Sequence, residues 1–367
     1  MIEDKKLLDI IKVTVREDIQ SMTAYPVSKS ANYIKLDAME SPYDLPEDIL
    51  EHIITNLRKV KLNRYPNTDK SQLIRTIKNK FNIPDESDLL FGNGSDELIH
   101  LIIQSCCKPG DTVLSPSPSF VFFEMASQFN HAKFIKVNLT DDLQLDTSNM
   151  LKSIKQHSPK IIFLAMPNNP TGGLWNDNDV LSIINIAPGL VIIDEAYYAF
   201  NKKSWMNRLH ELSNVLILRT VSKIGLAGIR FGYLAGHPKW INQINKIRPP
   251  YNINVLTESV ILSILDNKHI LDEHSNQILL NRIKLSESLK KLNNVKVYDS
   301  YGNFVLVKFD KSISATNVFN ELKLSNILVK DLSDSHALLS NCLRLSIGTN
   351  SENDLLIKTI SKIISKK

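Results

Sequence analysis

Lys223 closes the stretch Arg219-Thr220-Val221-Ser222-Lys223, immediately beyond the apolar run at 215–218. A lysine fixed at a strand end can attack a carbonyl carbon and, once released, take up a proton as a general base. Alone it is one of 44 basic residues, most of which are solvated. Its company gives it meaning. Asp194 ends Val191-Ile192-Ile193-Asp194, so its carboxylate is desolvated unless it meets a cation or caps a helix. Tyr197, three residues on, can donate to a phenolic oxygen anion. Gly92-Asn93-Gly94-Ser95-Asp96 leads into an apolar-periodic segment. Glycines permit the tight turn there, and open amides at a helix start attract phosphate. Ser95 or Asp96 would cap that helix with or without a ligand. Thr220, Ser222 and Arg230 can complete the anion site, Arg230 as a charged fork. In Asn168-Asn169-Pro170-Thr171-Gly172-Gly173 the N-P and T-G pairs signal a turn, from which Asn169 can meet the same phenolic oxygen. Phe120, in Ser117-Pro118-Ser119-Phe120, is either an ordinary core aromatic or a ring that stacks on a planar ligand.

The elements that must position these residues show as alternating runs. Buried strands are expected at 89–91, 112–114, 161–165, 191–193, 215–218 and 231–235, with helices at 95–106 and near 120–129. The strand runs are continuously apolar, which suits a mainly parallel sheet covered by helices, an α/β domain spanning 46–254. Beyond it the spacing predicts a long helical region to about 292 and strands at 295–298, 304–309, 327–330 and 343–346. Helices near 315–322 and from 352 complete a smaller α+β domain over 255–367, which the N-terminal residues 1–45 are expected to join. In open α/β sheets ligands gather at the carboxyl ends of strands, so the polar motifs should converge.

Composition narrows the function classes. The 367 residues carry a net charge of +5 with basic residues spread along the chain, and no basic stripe with interleaved aromatics points to nucleic acid. The longest apolar runs are far too short to span a bilayer. The N-terminus reads as an amphipathic helix, neither a secretory signal nor a transit peptide. Cys106, Cys107 and Cys342 have no C-x-x-C spacing and read as buried reduced thiols of a cytoplasmic protein. The nine histidines show no ligand spacing, so no metal is expected.

Pyridoxal 5'-phosphate needs a lysine to carry it, a carboxylate at its ring nitrogen, an anion site and ring-packing groups, and the chain offers all four. The motifs together resemble the fold-type I aminotransferases, and more narrowly the histidinol-phosphate aminotransferase family. The likeness runs through L-D-A-M-E-S-P-Y at 36–43, N-R-Y-P at 63–66, G-N-G-S-D-E at 92–97, P-N-N-P-T-G at 167–172 and D-E-A-Y at 194–197. It continues through R-T-V-S-K at 219–223, G-L-A-G-I-R at 225–230, P-Y-N-I-N at 250–254, N-F-V-L-V at 303–307 and L-R-L-S-I-G-T at 343–349.

The resemblance implies transamination between L-histidinol phosphate and 2-oxoglutarate, in histidine biosynthesis, by a homodimer with shared active sites. It implies that Tyr65 reaches the cofactor phosphate of the neighbouring subunit, that Tyr25 helps to close over substrate, and that Arg344 holds the carboxylate. Lys330 falls where the family often has an arginine near the substrate phosphate, and is otherwise a solvated strand-end lysine. The chain departs from the family's common pattern in three places. The segment from Lys223 to Arg230 is one residue shorter, Phe120 stands for a frequent tyrosine, and Lys330 keeps the charge without the fork. A threonine-phosphate decarboxylase-like lyase and an aromatic aminotransferase are the nearest alternatives. A non-catalytic regulatory module would need a DNA-binding domain, for which the N-terminal segment has no room.

Overall fold

Runs such as Ile161–Ala165 (β5), Leu190–Asp194 (β6) and Val215–Thr220 (β7) are buried along their whole length, which places them in the middle of a sheet. The structure is a computed structural model that describes residues 4–23 and 32–365. It divides into two compact units, Met1–Asn32 and Tyr33–Lys367. In the first, the expected amphipathic helix is two helices, Asp4–Thr14 and Glu17–Gln20, interrupted where Arg16 takes an extended backbone and pairs with Asp18.

The second unit holds Ile34–Lys35 (β1), Asp88–Gly92 (β2), Thr112–Ser117 (β3), Lys133–Asn138 (β4) and Gly232–Gly236 (β8) besides the central strands. Seven strands form one sheet in the order β2-β8-β7-β6-β5-β3-β4. It is parallel from β7 to β4, and only β8 runs against its neighbours. The sheet is therefore mainly parallel, as the apolar runs suggest. Helices including Gly94–Cys106, Phe122–Phe129, Thr147–His157 and Asp177–Ile186 connect the strands.

Four further strands, Val295–Val297 (β9), Phe304–Phe309 (β10), Lys330–Asp331 (β12) and Cys342–Ser346 (β13), make an antiparallel sheet in the order β12-β13-β10-β9. Ile327–Leu328 (β11) pairs in parallel with β1.

Several sequence expectations change here. The strand Lys133–Asn138 has no continuous apolar run because Lys133 and Lys136 interrupt it, the composition of a protected edge strand rather than of a buried one. The long helical region is two helices, Val255–Leu265 and Lys268–Lys290, because the Asp266-Asn267 step closes the first and opens the second. The strand expected at 327–330 splits between two sheets, which turns Lys330 toward β13. All three cysteines are free, but only Cys342 is buried; Cys106 and Cys107 end the helix Gly94–Cys106 and stay part-exposed. Among the described residues no helix is long and apolar enough to cross a membrane, and no cluster of His, Cys, Asp or Glu could hold a metal ion.

Candidate active site

The central strands stop where their sequences turn polar, so Asp194, the loop 168–173 and Lys223 all lie at the carboxyl edge of the sheet. Asp194 is 5% exposed and its Oδ1 accepts from the Ala196 amide at 2.9 Å. Burial pushes its carboxyl up to about 7; Lys223 pulls it back through space, and among the described residues no cation forms a salt bridge with it. Lys223 follows β7 on a short helical turn, Ser222–Ile224, that ends at Gly225 in the left-handed region (φ 109°). It is part-buried as a residue, with the amine as its shielded end. Burial, then the charge of Arg344, lowers that amine to about 8, and Nζ donates to the Ala38 carbonyl at 3.3 Å. Nζ also lies 5.8 Å from the centre of the Tyr197 ring. Tyr197 is buried edge-on against Phe304, and its hydroxyl donates to Met39 Sδ at 3.2 Å.

The candidate anion site draws on three elements. Thr220 pairs with Gly232 across β7 and β8, and Gly232 abuts the start of the helix Gly94–Cys106. A Cβ at Gly232 would lie 2.7 Å from the Gly94 carbonyl carbon and 2.9 Å from the Ser95 nitrogen, so only glycine allows the approach. The helix begins one residue earlier than expected, with Ser95 and Asp96 inside its first turn rather than capping it. Asn93, at the cap position, turns its amide away to the Asn252 carbonyl at 2.7 Å, and Glu97 takes the Asn93 backbone N–H. The first-turn amides thus receive no side-chain cap, the condition under which a helix start binds an anion. Arg230 overhangs this turn: a Cβ on Gly94 would come within 2.6 Å of its Nη2, and Asp96 pairs with it at 3.6 Å. The hydroxyls of Thr220 and Ser222 are 2.8 Å apart beside it.

The two asparagines of the loop 168–173 have different tasks. Asn168 is fully buried and bonds Ser119 Oγ, the Pro118 carbonyl and Thr171 Oγ1, which fixes the turn. Asn169, also buried, turns instead toward Arg344: its Oδ1 accepts from Arg344 Nη1 at 2.6 Å. Arg344 Nη2 donates to the Asp37 carbonyl at 2.8 Å, and the guanidinium lies 5.7 Å from the Phe304 ring centre. Lys330 stands directly opposite Arg344 in the β12–β13 register. Phe120, next to Ser119, is part-buried and edge-on to Phe123 at 5.5 Å.

Tyr65 lies elsewhere. It is 80% exposed, stacked on Tyr251 at 4.6 Å, beside a groove of about 830 Å³ lined by Lys61, Arg64 and Glu258. Among the described residues no hydrogen bond ties it to Lys223 or Asp194. Tyr25 lies outside the described residues.

Two further groups belong to the site although nothing in the spacing of their motifs marks them. The segment 37–39 carries the carbonyls that meet Arg344 and Lys223 and the sulfur that meets Tyr197. Glu195 and Arg219 form a buried ion pair at 2.7 Å, with Ser204, the Trp205 amide and the Tyr233 hydroxyl satisfying the remaining atoms and Tyr198 stacked 3.8 Å from the guanidinium. An acid and a base each next to a site residue was the available signal.

The model for aminotransferase class I and II matches residues 31–360. A histidinol-phosphate aminotransferase 2 of Bordetella bronchiseptica is 50% identical over 351 residues, 96% of each chain. A histidinol-phosphate aminotransferase 1 of Burkholderia lata is 42% identical over 347 residues, 94% of this chain and 96% of its own. Among solved structures, the Sinorhizobium meliloti histidinol-phosphate aminotransferase in complex with pyridoxal-5'-phosphate superposes with a TM-score of 0.86 at 22% identity, over 96% of this chain and 98% of that one, and so shares the fold. The chain therefore belongs to the class I and II aminotransferases, with the fold-type I architecture, and within them to the histidinol-phosphate aminotransferase family.

Proposed function

We propose that this chain transfers an amino group reversibly between L-histidinol phosphate and 2-oxoglutarate, giving imidazole acetol phosphate and L-glutamate, with pyridoxal 5'-phosphate carried on Lys223. One observation carries the reading: at the carboxyl edge of the sheet a buried acid, Asp194, which forms no salt bridge among the described residues, lies within electrostatic reach of a shielded lysine whose amine is drawn toward neutrality.

The residues present fit the cofactor. Asp194 suits a protonated ring nitrogen, the cation its burial calls for. The amides of Ser95 and Asp96, the hydroxyls of Thr220 and Ser222 and the Arg230 fork suit the phosphate. Asn169 and Tyr197 would hold the phenolic oxygen, and Phe120 would cover a ring face. When bound, pyridoxal 5'-phosphate supplies an electron sink for the charge left at the substrate Cα. Lys223, neutral above about pH 8, is the base that takes the Cα proton and returns it. Asp194 holds the proton at the ring nitrogen through that transfer.

Arg344 is already oriented by Asn169 and the Asp37 carbonyl, which suits it to the carboxylate of 2-oxoglutarate or glutamate. Lys330 faces it across the strand pair, and like charges placed directly opposite are unfavourable unless an anion lies between them. That supports an anionic substrate group beside Lys330.

A homodimer is part of the proposal, supported by the outward stack of Tyr65 on Tyr251, which presents Tyr65 to a neighbour. A cofactor domain over 46–254 and a smaller domain from 255 are supported by the separate seven-stranded and four-stranded sheets. A cytoplasmic location is supported by three free thiols.

The test is a single-turnover spectrum of cofactor-loaded protein. Loss of the visible band on L-histidinol phosphate and its return on 2-oxoglutarate are expected. An unchanged band rejects this substrate, and release of carbon dioxide from threonine phosphate reassigns the chain to the lyases. For the shared site, mixing Tyr65→Ala with Lys223→Ala subunits should restore activity to the hybrid dimer; no recovery in a verified hybrid places Tyr65 outside its neighbour's site.

A further inference from the structure

Met39 adopts a left-handed backbone, φ 55°, which a long unbranched residue rarely accepts outside glycine, asparagine and aspartate positions. Both of its backbone groups are pinned there. Its N–H donates to Ser346 Oγ and its carbonyl accepts from Asn303 Nδ2, each at 2.9 Å. Backbone strain that the surroundings over-determine in this way tends to accompany function. The outcome is that Met39 is buried and its sulfur accepts the Tyr197 hydroxyl at 3.2 Å.

A phenol has one proton to give. Donated to sulfur, it cannot at the same moment be donated to the phenolic oxygen of the cofactor. A thioether is a weak acceptor, so it can orient the hydroxyl without competing strongly for it. We propose that Met39 is a positioning residue for Tyr197: its sulfur holds the hydroxyl aimed into the site and releases it when the cofactor's oxygen arrives. This rests on the cofactor reading above and deepens it.

The experiment measures equilibrium affinity for pyridoxal 5'-phosphate, and the pH midpoint of the visible band, in the full-length protein. Met39→Leu conserves volume and removes the acceptor; Met39→Gln is similar in length and restores one. Each is made alone and combined with Tyr197→Phe. We expect Met39→Leu to weaken the cofactor about threefold and to move the pH midpoint, Met39→Gln to bind more tightly than Met39→Leu, and neither to matter once Tyr197→Phe is present. A packing role predicts the reverse order, with Leu better tolerated than Gln, and equal losses in both backgrounds; that result overturns the proposal. So does an unchanged affinity and midpoint in all variants. If the wild-type protein itself takes up no cofactor, the reading beneath the inference fails, and the inference with it. Thermal unfolding midpoints of the cofactor-free variants separate loss of fold from loss of positioning: a Met39→Leu protein as stable as wild type but weaker for the cofactor only when Tyr197 is intact supports it.

Discussion

The ends of β6 and β7 carry two sets of charges, Glu195 with Arg219 and Asp194 with Lys223, and the molecule treats them in opposite ways. Glu195 and Arg219 are buried and meet a partner at nearly every polar atom. Against the pull of burial, Tyr233 and Glu195 keep the Arg219 guanidinium charged, above its ordinary value. Asp194 and Lys223 are also desolvated but among the described residues neither has a salt-bridge partner, and their values drift toward each other, to about 7 and about 8. The difference teaches that burial alone does not make a group reactive. Burial with a paired opposite charge holds a structure in place, whereas burial without one leaves a group poised to change its protonation.

The comparison breaks most sharply at Lys223. Lys223→Ala should lower turnover by about 10⁴-fold or more while leaving the unfolding midpoint close to wild type. Appreciable multiple turnover without an added amine would remove Lys223 from the chemistry.

Asp194→Asn should lower turnover by about 10³-fold, since it withdraws a charge aimed at the reacting system. It should also change stability with pH in the cofactor-free protein. The folded carboxyl titrates near 7, above its ordinary 3.8, so its favourable contribution is full below pH 3.8 and is lost as pH rises through 7. The variant escapes that loss, so its stability relative to wild type should climb over this window by about 4 kcal/mol. A difference that stays flat in denaturant titrations from pH 4 to 8 would show that Asp194 is not desolvated as described.

The satisfied pair should respond through folding rather than chemistry. Glu195→Leu alone leaves Arg219 buried and unpaired and should destabilise the protein by about 3 kcal/mol. Adding Arg219→Met should recover most of this, with KM values near wild type. If the double variant stays as unstable as the single one, the network contributes more than a paired charge.

The smallest effect belongs to the substrate end. Lys330→Ala should raise the KM for L-histidinol phosphate about tenfold, the scale of one charge-assisted contact, and leave that for 2-oxoglutarate within about twofold. Equal rises for both would mean that Lys330 acts only through Arg344, its cross-strand neighbour.

Much of the fold was legible because buried strands are local objects. Ile161–Ala165 and Phe304–Phe309 have the bounds their apolar runs indicate. The edge strand Lys133–Asn138 was not legible, since its pattern answers to solvent on one side. The split of 327–330 was not either, because a short apolar run does not say which of two sheets it will join. In the site, Lys223, Asp194 and Asn169 announced themselves by following strands, but the division of labour between Asn168 and Asn169 depends on what each side chain meets. Glu195 and Arg219 passed unremarked beside them because a paired and an unpaired charge look alike in a sequence.

By itself, the sequence determined which groups would be set at the ends of buried strands, because strand length and the polar residue that stops it are written in consecutive positions. Only the tertiary structure decided what those groups meet. Asn169 finds Arg344 across 175 positions, Lys223 finds Ala38 across 185 and Tyr197 finds Met39 across 158. Such contacts follow from strand order, register and the path of the connections, none of which a local pattern encodes.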